Sequence, residues 1–390
     1  MKKFLLIFFI FFLSLINASE IIKKTKKDIL ENSLKKELED SKLQKDSWIN
    51  PISIEVTTSK LKDIGINNAI KTNKISINLE QEIFKSGAIL ETITKGKNLI
   101  NLSVLSNKEQ KQQILFLIYQ YVINLRIIDL NLQKQIILIE NKELEIEKKL
   151  DMYNNGLVDI SELDESIIEL SELKNSIENL KIDKSTFINE LKNLSFKSYT
   201  EISLDSLSNI SIDKYLEHNY IVEIKKLQVK DSKHESNITK SSYLPKIALY
   251  GTYGYGDIQN EADDNYYEYG VKISMPLDYN FNKNIQSKKL KSLITSSQLQ
   301  DIKDEEKNNY NLIQEKLKYF DNKIQNTKTI VKRYKNIQNL VFDLYQNSLN
   351  TKTDYITISN RLKVVNMDIK ILQLQRKQIF NQLFKNYKID

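Results

Sequence analysis

The sequence contains no cysteine, only three prolines, eight glycines, two histidines and one tryptophan in 390 residues. Without cysteine there is no disulfide, no thiolate metal site, no cysteine nucleophile and no lipobox for lipidation of an exported N-terminus. So few prolines and glycines leave room for few, long elements, and the Leu/Ile/Lys/Glu usage makes those elements helices. The histidines, His218 and His234, stand alone without metal-ligand spacing and read as solvated helix positions. No glycine-flanked serine or phosphate-cradling loop occurs, and Glu143, Glu145 and Glu147 belong to a charged helix face. Nothing points to an enzyme, a cofactor or a metal. The net charge of +7 is dispersed among interleaved Lys, Glu and Asp rather than gathered in a patch, which argues against a nucleic-acid partner.

The N-terminus, MKKFLLIFFIFFLSLINASE, reads as a secretory signal over residues 1–18. Lys2 and Lys3 form the positive end, Phe4 to Ile16 the apolar run and Ala18 the small residue before cleavage. A run of about 13 apolar residues falls short of the ~20 that span a bilayer as a helix. The mature chain is therefore expected to be exported.

The prolines mark strands. Pro51, Pro245 and Pro276 border segments that alternate apolar and polar residues, the period of a half-buried strand. These predict two strand pairs, 52–58 with 74–83 and 246–257 with 266–277. Each pair precedes a long helix, 87–151 or 282–344, then a short turn, then a further helix, 160–195 or 353–387. Helices over about 20–46 and 212–242 precede the pairs. The second half, 201–390, repeats the first, 19–200, at a shift of 192–194 residues, which lays Pro51 on Pro245, Tyr153 on Tyr345 and Leu157 on Leu349.

Heptad seams run along both long helices, through Ile114, Ile118, Tyr121, Leu125 and Ile128 and through Ile313, Leu317, Phe320 and Ile324. Leu115, Tyr119, Val122, Ile123, Ile127 and Leu130 form a second seam beside the first, so that helix packs on two sides. About 64 helical residues make a rod of nearly 100 Å. Two short helices placed end to end match one long one.

Strands of about ten residues suit a tilted bilayer crossing, ~9–11 residues each. Trp48, Tyr243, Tyr253, Tyr255, Tyr266, Tyr267 and Tyr269 gather near the strand ends, as rings at a membrane interface do, although tyrosine is also a good strand former. Four strands cannot close a barrel, and an open edge is forbidden in lipid, so a membrane sheet requires oligomerisation. Three copies give twelve strands.

The segments YLPKIALYGTYGYG and YGVKISMPL, with the turn YNNGLVDISELDES and the ELKNL after it, resemble the TolC-like outer-membrane efflux protein family over nearly the whole mature chain. The resemblance implies a mainly α fold with a small β part: long coiled-coil helical hairpins forming an α-barrel, plus four membrane strands per protomer in a twelve-stranded trimeric barrel. It implies a passive exit duct of a tripartite efflux pump or a type I secretion system. That duct would lie in the outer membrane of a Gram-negative bacterium, extend into the periplasm and work with an inner-membrane pump. A periplasmic adaptor (membrane fusion) protein would meet the helical tips at Gly156, Leu157 and Val158 and at Ser348 and Leu349, Ser348 standing where the family has glycine. Gly156 also fits a left-handed helix-ending residue, and Asp159 a helix cap. Asp354 matches an acidic gate position, and Thr357 stands where some members carry a second acid. A secreted or periplasmic coiled-coil structural or adhesion protein is the alternative reading of the same helices.

Overall fold

The computed structural model describes residues 21–61, 70–204, 210–256 and 264–388; the expected signal, 1–18, lies outside them. In chain order the elements are α1 (Lys24–Asp46), β1 (Ser53–Leu61), β2 (Ile70–Phe84), α2 (Ala88–Asn154), α3 (Ile160–Leu194), α4 (Ile212–Glu217), α5 (Tyr220–Ser242), β3 (Lys246–Gly256), β4 (Asp264–Ser274), α6 (Phe281–Gln346) and α7 (Lys352–Asn381). A short 3₁₀ helix, Gln382–Lys385, follows.

The chain divides into two compact units, and each draws on both sequence repeats. The first comprises Met1–Leu30, Glu109–Asn219 and Glu305–Asp390, the second Glu31–Lys108 and Tyr220–Asp304.

The first unit is helical. Its seam residues are buried as the heptads require: Ile118, Val122 and Leu125 pack with Ile22, Leu191 and Ile202, and Ile313 and Leu317 pack with Tyr215, Leu383 and Phe384. The apolar composition of α2 would pass for a membrane span, but these contacts show what it serves within this unit. Short helices meet end to end here. Lys23 N–H donates to Leu194 O (2.8 Å) beside a bridge between Ile22 and Ser195. Lys388 N–H donates to His218 O (2.8 Å) beside the bridge of Asn219 and Tyr387. Ser195 and Tyr387 are 192 residues apart, so the same junction is built twice.

That junction corrects the expected helix 212–242, which breaks at His218 and Asn219. Asn219 is committed to the bridge with Tyr387, and its buried side chain donates to Glu306 (2.7 Å). It also ends α7 at Asn381, short of the predicted 387, because Tyr387 must be extended to pair. The histidines, predicted as solvated helix positions, are half-buried, and His218 stands at the end of α4 rather than within a helix. Nδ1 of His234 lies 2.5 Å from Glu91 in the second unit, and the ring of His218 meets that of Tyr387 edge-on in the first.

The second unit holds one antiparallel sheet in the order β1-β2-β3-β4. In register, Val56 pairs with Ile75, Ile75 with Tyr255, and Tyr253 with Tyr267. A bulge between Glu82 and Phe84 interrupts the ladder at the base of β2. β4 ends at Ser274 rather than 277, since Pro276 has no N–H to extend the ladder. β1 and β2 are longer than predicted.

Candidate functional site: a bare apolar sheet face and two helical tips

Strand alternation sorts the sheet into two faces of opposite character. On one stand Ile54 and Val56 (β1), Ile75, Ile77 and Leu79 (β2), Leu249, Tyr253 and Tyr255 (β3), and Tyr267, Tyr269, Val271 and Ile273 (β4). All are exposed, from 43 % for Leu79 to 79 % for Tyr269. Soluble monomers rarely leave so many contiguous apolar side chains uncovered.

The opposite face is polar and cross-linked strand to strand. Thr252 donates to Asn78 (3.0 Å), which donates to Glu55 (3.3 Å), joining β3, β2 and β1. Lys272 reaches Glu80 (3.1 Å), and Tyr250 donates to Glu268 (3.2 Å). At the base, Glu82 accepts from Lys246 (2.7 Å). Within the described residues, β1 and β4 each pair on one side only, so both sheet edges offer unpaired backbone groups.

The aromatic residues separate into three places. Tyr253, Tyr255, Tyr267 and Tyr269 lie on the apolar face. Trp48 and Tyr243 sit at the helix-bearing end of the sheet: the carbonyl of Trp48 accepts from Gln81 (3.0 Å), and the Tyr243 hydroxyl accepts from Asn284 (2.7 Å). Tyr266 departs from the expectation. It pairs with Gly254 on the polar face, and its ring lies where a Cβ at Gly254 would come within 2.4 Å of it. The alternation of β4 puts Tyr266 opposite in sense to Tyr267. Sequence reasoning missed Leu277 and Tyr279, just past β4 and 92 % and 93 % exposed; the odd-numbered apolar pattern of β4, continued through them, was the available signal.

The tips are the turns α2–α3 and α6–α7 of the first unit, and they are alike bond for bond. Gly156 N–H donates to Tyr153 O (2.9 Å) and Leu157 N–H to Met152 O (2.8 Å). At the other tip Ser348 N–H donates to Tyr345 O (3.0 Å) and Leu349 N–H to Leu344 O (2.8 Å). This is the Schellman closure, with a left-handed residue at φ 70° in Gly156 and φ 58° in Ser348. Each closure leaves its following leucine outward, Leu157 at 70 % exposure and Leu349 at 71 %. Val158 is half-buried beside Leu157.

The tips differ in how the next helix begins. Asp159 occupies the cap position of α3 without a side-chain cap bond, whereas Thr351 and Asp354 form a reciprocal capping box on α7. Asp354 also lies 3.6 Å from Lys148 of α2. The Thr351 hydroxyl, then its backbone N–H and the Lys148 charge, outweigh partial burial and hold the Asp354 carboxyl below its ordinary range. Lys148 is the last rung of a polar ladder between α2 and α7: Gln378 with Asn124 (2.9 Å), Lys134 with Asp368 (2.7 Å), and Asn360 with Asn141 (3.0 Å). Lys134, Asn141 and Lys148 recur every seven residues, and sequence reasoning missed their partners. Among the described residues no cluster of His, Asp and Glu is arranged to hold a metal.

No protein-family model and no curated protein matches the sequence. Solved structures do match it. The chain is similar to the CmeC outer membrane channel of Campylobacter jejuni at a TM-score of 0.75 and 14 % identity, covering 94 % of this chain and 84 % of that one. It is similar to the outer membrane protein VceC of Vibrio cholerae at 0.73 and 12 %, covering 93 % of each chain. The MtrE outer membrane channel of Neisseria gonorrhoeae follows at 0.70 and 12 %, with coverage of 95 % and 86 %.

Proposed function

Starting from the fold it shares with CmeC, VceC and MtrE, we propose that this chain forms a trimeric channel in the outer membrane of a Gram-negative bacterium. The observation that carries the reading is the bare apolar face of the sheet, backed by a hydrogen-bonded polar face. Lipid on one side and water on the other is the environment that stabilises such a sheet. In lipid its two open edges need partners, and the β1 and β4 edges of three copies close a twelve-stranded barrel. A soluble coiled-coil protein would leave the same face bare in water.

The channel is a passive exit duct for a tripartite efflux pump or a type I secretion system. A periplasmic adaptor docks on the tips through Leu157 and Leu349, with Gly156, Val158 and Ser348 shaping the approach, and an inner-membrane pump supplies the energy. Asp354, tied to Lys148 across the two hairpins, acts at the gate: loosening that tie favours the open tip. Tyr253, Tyr255 and Tyr267 lie toward one interface and Trp48 and Tyr243 toward the other, whereas Tyr269, opposite Gly251 at the middle of the β3–β4 ladder, lies at neither. The test is conductance of the purified chain in planar bilayers. Discrete steps that grow when Asp354 becomes Ala support the reading, and a chain that never enters the bilayer overturns it.

A further inference from the structure

The apolar face ends in a like-charge pair. Along the β1–β2 ladder the directly opposed residues on this face are Ile54 with Ile77, Val56 with Ile75, Thr58 with Asn73 and Lys60 with Lys71. Directly opposed side chains have Cβ atoms about 4.5–5.5 Å apart, and two like charges there destabilise a sheet. Both lysines are exposed, and neither makes an ion pair with a carboxylate among the described residues. Glu55, the nearest acid on β1, points to the other face, where Asn78 donates to it. At about 3.3 Å per residue the lysines stand roughly 13 Å along the strands from the pair of Val56 and Ile75. The face thus passes from apolar to neutral polar to cationic over about 20 Å, the profile of one bilayer leaflet from acyl chain to headgroup.

We propose that Lys60 and Lys71 together bind the phosphate of a phosphorylated lipid headgroup in the outer leaflet. The inference rests on the membrane reading of the sheet. A phosphate between two ammonium groups turns their repulsion into two charge-assisted hydrogen bonds. Its acyl chains would lie over Val56 and Ile75 below. Among the described residues no carboxylate offsets the cost of a lysine pair at this height to the β1–β2 ladder.

The test compares the full chain with the Lys60→Gln, Lys71→Gln and doubly substituted chains, each in neutral detergent. Binding of fluorescent diphosphorylated lipid A is measured beside its dephosphorylated form. The expected result is an affinity loss of about fivefold for each lysine removed and about twenty-five-fold for both. The unsubstituted chain should bind dephosphorylated lipid no better than the double variant does. Without anionic lipid the double variant should melt no lower than the unsubstituted chain, because its repulsion is gone. Equal binding by all four chains overturns the proposal. Competition by inorganic phosphate as strong as that by the lipid overturns the headgroup assignment in favour of a free-anion site. Flotation with phosphatidylcholine vesicles separates the two readings. A chain that floats without phosphate preference retains the membrane reading and loses this one, and a chain that never floats loses both.

Discussion

Ser348 holds the left-handed backbone conformation that Gly156 holds 192 residues earlier, φ 58° against 70°, with the same pair of backbone bonds around it. A residue with a Cβ in that region bears a cost of roughly 1 kcal/mol that glycine avoids. Ser348→Gly should therefore raise the thermal midpoint. Gly156→Ala should lower it, although a Cβ there would meet nothing within 4 Å. The two changes test backbone strain rather than packing, and melting curves of both in detergent read it directly. A fall for Ser348→Gly would mean that the Ser348 hydroxyl contributes more to the tip than its strain costs.

Neighbouring residues of β2 should respond oppositely to charge. Ile77→Lys puts an ammonium on the apolar face beside Tyr253, between the middle of the sheet and its interface end, a loss of about 1–2 kcal/mol if that face meets lipid. Ser76→Lys puts it on the polar face, where Glu55 is the cross-strand partner, and should change stability little. The amount of each variant recovered in washed outer membranes checks this. Equal recovery would contradict the assignment of faces.

The Asp354 carboxyl is held below its ordinary range by Thr351 and Lys148. A depressed carboxylate stabilises the folded state above its unfolded pKa, and that contribution is lost as pH falls through the folded value. The α7 cap should accordingly be intact at neutral pH and weaken below about pH 4. Asp354→Asn should remove the acid-dependent part and, by taking a negative charge from the first turn of α7, lower stability by about 0.3–1 kcal/mol. It should also alter conductance or drug tolerance, and unchanged behaviour in both would remove Asp354 from the gate.

Asn360 is 1 % exposed and donates to Asn141 (3.0 Å) between α2 and α7. Asn360→Leu strands the Asn141 amide and should cost about 1–3 kcal/mol, whereas Leu at both positions should recover most of the loss. A double-mutant cycle on the denaturation midpoint measures the coupling. Additive losses would mean that the pair does not set the register of the two helices.

Much of this architecture is legible along the chain. Ile247, Leu249, Tyr253 and Tyr255 alternate with small or polar partners, and that period alone separates the sheet faces. The heptads through Ile118 and Leu125 on α2 and through Ile313 and Leu317 on α6 mark what is buried. Leu157 and Leu349, in matching turns, mark the tips. What escaped depends on contacts far apart in sequence. The break at Asn219 exists because Tyr387 pairs with it, and nothing local forbids a continuous helix from Ile212 to Ser242. The rungs Lys134–Asp368 and Asn141–Asn360 join residues more than 200 positions apart. Tyr266 was misplaced for a different reason: its composition suggested an interface ring, while its parity in β4 already put it on the polar face beside Gly254.

The central claim is that the bare face of the sheet is buried in the outer membrane by assembly of three chains. The most direct measurement is crosslinking of the mature chain in washed outer-membrane fractions, with the product sized by gel. A band at about three protomer masses, confined to that membrane, is the predicted result. A soluble monomer or dimer in the periplasm would contradict the channel and return the helices to a coiled-coil protein.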